Sequence, residues 1–179
     1  YGVNPDAVVM PGTGDNPDSA IGTGLVEPGL FTLSLGTSTV LTGISEIPVV
    51  NRNGYGHLFI SGAGQYMPLL CFGNGALTLE KVVREFGLTL PDGKIDWKTV
   101  SSMLRQTPPS DDGGFILPWA VPEMTPIVLK PGLRHIGPAT KRNQVILRRL
   151  VEGQALAVRL HSKWMGQPKE LRATGGASV

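Results

Sequence analysis

Residues 31–44 read FTLSLGTSTVLTGI, and their pattern decides the class of fold. Two apolar and β-branched runs, Phe31 to Leu35 and Val40 to Ile44, flank the short link Gly36-Thr37-Ser38. Strand-like runs on either side of a glycine-bearing link of this length predict a β-hairpin. Its tip combines a glycine with successive hydroxyls, so it can aim N–H and O–H donors at phosphate oxygens. An ordinary surface turn has the same look, and the tip alone does not choose between them.

Upstream, Ala7-Val8-Val9-Met10 before Pro11-Gly12 has the profile of a buried strand. The loop over 12–15 then leads to a helix start, with Asn16 as N-cap, Pro17 at the first helical position and Asp18 in the first turn. Gly22 and Gly24 keep that helix short. Downstream, His57 to Ser61 predicts a strand. Residues 75–86, GALTLEKVVREF, place Leu79, Val82, Val83 and Phe86 on one helical face, with Gly87 as the stop. Asp96 can cap a helix from Trp97 to Gln106. The stretch 107–140 is punctuated by proline and glycine, and Phe115-Ile116-Leu117 is its one convincing strand. It reads as a loop insertion or a lid.

The longest element is a helix from Asn143 to Met165. Steps of roughly 100° per residue gather Arg148, Arg149, Glu152, Arg159 and Lys163 on one stripe. The remainder is mostly apolar or small, so the helix is expected to be largely buried at the centre of a domain. Gly153 in mid-helix costs about 1 kcal/mol against alanine, which close approach of another backbone would explain. Gln154 and His161 lie on the apolar side, where satisfied core polar groups are expected. Glu170 to Thr174 closes the chain with a strand that enters Gly175-Gly176. Strands and helices interspersed in this way make the class α/β.

The 24 glycines and 15 prolines among 179 residues fall short of the roughly 25–30% that marks a disordered chain, and 41% of residues are hydrophobic. A turn-rich folded domain, or a large piece of one, is expected. No apolar run approaches the ~18 residues that span a bilayer, so no membrane partner is expected. One cysteine, Cys71, cannot close an internal disulfide, which makes a reducing compartment such as the cytoplasm the default. Net charge is +2, but 6 Lys/Arg stand against 11 Asp/Glu before residue 120, and 10 against 3 after it. No aromatic-interleaved basic motif accompanies the basic part, so nucleic acid is not an expected partner. Zinc-type Cys/His spacing is absent and no metal-ligating residue is singled out.

Two further loops have chemical potential. In Gly12-Thr13-Gly14-Asp15-Asn16-Pro17 a carboxylate sits where glycines let a ligand approach, and the start of a helix favours negative charge. Such a carboxylate can accept the proton of an attacking hydroxyl; a capped helix start with an Asx-turn is the plain alternative. In Ala173-Thr174-Gly175-Gly176-Ala177-Ser178 a strand runs into paired glycines, where a flat ring or phosphate can lie on the main chain and Ser178 can cap a following helix. The third glycine of G-x-G-x-x-G and its βαβ unit are missing, which argues against a Rossmann site.

In this order, G-T-G-D-N-P, S-L-G-T-S and A-T-G-G-A-S, with V-E-G-Q-A-L before the last, the chain resembles the FGGY family of carbohydrate kinases. The likeness is closest to the members that phosphorylate D-xylulose. Gln65 to Phe72, Asn74-Gly75 and Pro122-Glu123-Met124-Thr125-Pro126 are further matches, and together they cover essentially the whole chain.

The resemblance implies an actin-like ATPase with two ribonuclease H-like lobes, each a mixed β-sheet flanked by helices. Residues 1–179 would then be most of the C-terminal lobe, incomplete at its C-terminal end and without its N-terminal lobe. The opening at Tyr1 and the close on a glycine turn fit that expectation. It further implies ATP and Mg²⁺ as cofactors, with Asp15 as general base and Asn16 beside it on the sugar. Gly36, Thr37 and Ser38 would receive the β- and γ-phosphates. Gly175, Gly176, Ala177 and Ser178 would hold adenosine, with Gly75 near the nucleotide. Thr39 follows Ser38 directly, where many relatives interpose a residue, so a tight tip is expected. The expected partners are a small sugar, ATP and the chain's own first lobe, with a homodimer left open. By itself the chain is expected to be inactive. The alternatives are a kinase for ribulose, gluconate or glycerol, or a non-catalytic actin-like nucleotide-binding or interaction module.

Overall fold

The structure, a computed structural model, describes residues 2, 4–8, 12–109 and 113–176. In chain order it contains helix α1 (Asp15–Gly22), strands β1 (Leu30–Leu35), β2 (Thr39–Gly43), β3 (His57–Ile60) and β4 (Tyr66–Phe72), and helices α2 (Ala76–Glu85) and α3 (Trp97–Gln106). The short strands β5 (Phe115–Leu117), β6 (Glu123–Met124), β7 (Ile127–Val128) and β8 (Arg134–Ile136) follow. Helix α4 (Asn143–His161), a 3₁₀ turn at Lys163–Met165 and strand β9 (Glu170–Thr174) complete it.

The predicted hairpin is β1–β2, closed at Leu35↔Thr39. It is the centre of a five-stranded mixed sheet ordered β3-β4-β2-β1-β9. Every pairing is antiparallel except β1 with β9, where Ser34 stands opposite Thr174. Strand β4 has no counterpart among the strands expected from the sequence, and it carries Pro68, a residue that argues against a central strand. In the sheet Pro68 lies opposite Leu58 of the edge strand β3.

Side chains alternate across the pleat and give each face its own partner. One face sets Phe31, Leu41, Leu70 and Phe72 against Met165, Val158 and Trp164, at the end of α4 and in the turn beyond. The other face packs Ile44 and Met67 against Ala20 of α1 and Leu25. Away from the sheet, Val82 and Val83 of α2, Val100 of α3, Ile116 of β5 and Leu147 and Leu150 of α4 form a second core.

Four expectations change. Ala7 and Val8 form no strand, and Val8 is 80% exposed; Val9, Met10 and Pro11 lie outside the described residues. Helix α1 starts two residues early, with extended Gly14 as its N-cap and no side-chain cap. Asn16 is therefore the second residue of the helix and not its cap, and its backbone N–H donates to Asp15 Oδ1. Arg149 leaves the polar stripe and is 2% exposed, stacked so closely on Gly114 that a Cβ there would overlap its guanidinium. Finally, α4 is buried only in its first half; Leu156 and Leu160 are exposed, and the helix ends at His161 before the separate 3₁₀ turn.

The expected close approach at Gly153 is present. A Cβ there would overlap the Ile116 carbonyl, so glycine lets β5 lie directly on α4. The stretch 107–140 is thereby docked, with β5 paired to β8 and β6 to β7.

Candidate functional site

The hairpin tip is built from below by α2. The first N–H groups of a helix have no partner within it. In α2 the Ala76 N–H donates to Gly36 O at 2.9 Å and the Leu77 N–H to Thr37 O at 3.4 Å, so the tip's carbonyls satisfy the helix start. Gly75 is the N-cap and presses on the tip: a Cβ there would stand 2.7 Å from Thr37 O and Ser38 C. Only glycine permits that approach. Gln154 of α4 holds the loop from behind, its Nε2 donating to Asn74 O and Gly75 O, each at 2.8 Å. This is the satisfied core role expected of Gln154. Within the tip, Gly36 N–H donates to Ser38 O at 3.2 Å. Thr37 is exposed, and neither its hydroxyl nor that of Ser38 has a hydrogen-bond partner among the described residues.

The third loop arrives through the sheet. Parallel pairing of β9 with β1 brings Gly175 beside Leu35, the residue before the tip. Gly175 has φ +96°, and a Cβ there would stand 2.6 Å from Leu35 O. Gly176 faces open space. Ala177 and Ser178 lie outside the described residues. Gly36–Ser38, Gly75 and Gly175 thus gather at the carboxyl ends of the parallel pair β1 and β9, where open α/β sheets bind ligands.

Asp15 and Asn16 belong to the face of the sheet covered by α1. Asp15 is exposed, and its Oδ1 accepts from Asn16 N at 2.9 Å and Asn16 Nδ2 at 3.3 Å. Asn16 lines a cavity of about 410 Å³ with Ser19, Thr23, Thr32, Ser34 and Thr174. On the opposite face Leu33, Leu35, Gly36, Gly75 and Val158 line an apolar cavity of about 490 Å³. The hairpin therefore has a hydroxyl-rich cavity on one side and an apolar one on the other.

Two links that tie the site together have no local signature, although Asn74 and Glu123 themselves fall within the matching motifs. Arg172 of β9 donates from Nη1 to Thr23 O at 2.9 Å and Gly24 O at 2.8 Å, so it caps the carboxyl end of α1. Asn74 and Glu123, nearly 50 residues apart, share hydrogen bonds beneath the tip. No local pattern marks either link. Burial pushes the Cys71 thiol up, and the Glu123 carboxylate adds to it. Burial pushes His161 down, against the same carboxylate. Among the described residues no group of three or more His, Cys, Asp or Glu could hold a metal ion, and no helix is long and apolar enough to cross a membrane.

No family model matches the chain. It is 35% identical over 187 residues to a xylulose kinase of Rattus norvegicus, an alignment covering 99% of this chain and 33% of the relative. A xylulose kinase of Mus musculus is 33% identical over 99% of this chain and 32% of its own length. Among solved structures, the xylulose kinase of Bifidobacterium adolescentis superposes with a TM-score of 0.79 at 25% identity, over 94% of this chain and 33% of its own. The chain spans about a third of the length of the curated relatives it matches. Its mixed sheet with flanking helices is the ribonuclease H-like, actin-like ATPase fold expected from the sequence.

Proposed function

We propose that this chain, a relative of the xylulose kinases within the FGGY carbohydrate kinases, supplies most of the C-terminal lobe of an enzyme that transfers the terminal phosphoryl group of ATP to D-xylulose. One observation carries the reading: three glycine loops remote in sequence, at Gly36, Gly75 and Gly175, close around one hairpin at the carboxyl ends of β1 and β9.

In this reading the hairpin receives the β- and γ-phosphates. The Thr37 and Ser38 hydroxyls, without a hydrogen-bond partner among the described residues, fit such a role, because donors already held by protein would not serve. Adenosine rests on the main chain at Gly175 and Gly176, where open space over Gly176 suits a ring lying on the backbone. Asn16 orients the sugar from the hydroxyl-lined cavity. Exposed Asp15 takes the proton of the attacking hydroxyl as the oxygen closes on phosphorus. Mg²⁺, when bound with the nucleotide, neutralises charge on the transferred group. Mg²⁺, cytoplasmic placement and a possible homodimer belong to the same proposal, as does the first lobe, without which the 179 residues are expected to be inactive.

The test is a coupled ADP-release assay on the full-length protein with D-xylulose, ribulose, gluconate and glycerol offered separately. Selective turnover of D-xylulose supports the reading. Preference for another of these sugars would reassign the substrate, and no turnover of any would refute kinase function.

A further inference from the structure

Glu123 lies on β6 and is only 5% exposed. Its Oε1 accepts from Gly73 N at 3.0 Å, Met124 N at 2.9 Å and Thr125 N at 3.3 Å. Its Oε2 accepts from Asn74 N at 3.1 Å and Asn74 Nδ2 at 2.9 Å. No lysine or arginine pairs with it among the described residues. A carboxylate withdrawn from water is costly unless its oxygens are satisfied, and here amide N–H groups alone do that. Three of them, the Gly73 N–H and the main-chain and side-chain N–H of Asn74, belong to the loop under the hairpin tip.

Asn74, 2% exposed, continues the network. Its Oδ1 accepts from Thr78 Oγ1 and from Val121 N, each at 3.0 Å, while Nδ2 also donates to Val121 O at 3.1 Å. Gln154 holds the carbonyls of Asn74 and Gly75 from the other side. The next two N–H groups, of Ala76 and Leu77, hold the tip. An unbroken run of contacts therefore joins residues 121–125 to residues 73–77, and these to residues 36–38. At its last link, a Cβ on Gly75 would come within 2.7 Å of the tip's main chain, so the loop and the tip cannot move independently.

We infer that Glu123 is a positioning residue for the nucleotide phosphates, its carboxylate fixing the Gly73–Gly75 loop and, through it, the placement of Gly36-Thr37-Ser38. The inference rests on the reading of the hairpin as the phosphate loop. Glu123 does not touch ATP; it acts through two hydrogen-bonded layers. Glutamine at this position keeps the volume but turns one acceptor into a donor facing other donors. Buried N–H groups are then left unpaired and the loop shifts to recover partners.

The test uses the full-length protein carrying Glu123→Gln, Gln154→Met or Thr37→Ala. Glu123→Gln should raise KM for ATP about tenfold and leave KM for the sugar within about twofold. Amide exchange should quicken in residues 34–39 and 73–78 but not in α3. Gln154→Met, which removes the donors on the opposite side, should show the same ATP-selective pattern. It also stands in if Glu123→Gln is not recovered folded. A Glu123→Gln protein with a lower Tm, unchanged KM for ATP and unchanged exchange at 34–39 would overturn the inference, as would the same result for Gln154→Met in its place. Failure of the underlying reading looks different, because Thr37→Ala would then leave ATP kinetics untouched. The exchange measurement would still decide whether Glu123 holds the tip.

Discussion

Gly175 rests directly on Leu35: the Leu35 carbonyl oxygen lies 2.6 Å from where a Gly175 Cβ would be, and Gly175 itself has φ +96°. The close approach follows from the parallel register that sets Ser34 opposite Thr174, so the end of β9 and the tip leaving β1 share one end of the sheet.

Gly175→Ala should therefore destabilise the full-length protein by about 2–4 kcal/mol, from left-handed strain together with crowding against backbone that cannot yield. Gly176→Ala meets open space and should cost under about 0.5 kcal/mol. If adenosine lies on that backbone, Gly176→Ala should nevertheless raise KM for ATP. Denaturant melts and ATP kinetics on both variants separate the structural glycine from the functional one.

Asp15→Asn preserves shape and removes the base. Phosphorylation of the sugar should fall by roughly 10²–10⁴-fold, with ATP affinity little changed because other loops hold the phosphates. Single-turnover rates and nucleotide titrations on the full-length variant check this. Near-normal turnover would remove Asp15 from the mechanism.

Gly153→Ala sets two effects against each other. Alanine in mid-helix gains about 1 kcal/mol in propensity. Its Cβ would overlap the Ile116 carbonyl, however, and forcing β5 away from α4 costs about 1–3 kcal/mol or more. Net destabilisation by urea melt is expected, and a more stable variant would show that β5 does not sit on α4.

Half-buried His161 gives stability a pH dependence. Burial lowers its pKa from the ordinary 6.5, outweighing the pull of the Glu123 carboxylate. Between the ordinary value and the folded one the unfolded chain holds more protons, so stability falls as pH drops below about 6.5 and keeps falling down to the folded value. His161 sits edge-on to Tyr55 at 5.9 Å, and His161→Phe keeps a ring there. Melts of the full-length protein across about pH 5 to 8 should show a shallower acid-side slope in His161→Phe. An unchanged slope would assign the dependence to other groups.

The legible parts of this protein were those written in short-range pattern. The β1–β2 hairpin shows as two strand-like runs about a glycine. Asp96 shows as a cap, and its Oδ1 does accept the Thr99 N–H at 3.0 Å. Gly153 shows because a mid-helix glycine needs a reason. Arg149 misled because helical angle alone puts it beside Arg148 and Glu152, and its burial depends on Gly114, 35 positions away in sequence. Glu123 was invisible as a support for the same reason: its partners Gly73 and Asn74 are 50 and 49 residues away. The proposed site residues come from the order of three motifs, whereas the groups that hold those loops in place depend on tertiary contact.

Steady-state kinetics and thermal melting of full-length Thr37→Ala beside wild type test the central claim most directly. If the tip receives the γ-phosphate, the Thr37 hydroxyl donates a charge-assisted hydrogen bond that strengthens as charge develops on the transferred group. Its loss should lower kcat/KM for ATP by about 2–3 kcal/mol, roughly 30- to 150-fold, with Tm nearly unchanged because Thr37 is exposed. An unaltered kcat/KM for ATP would contradict the account and leave Gly36-Thr37-Ser38 an ordinary turn.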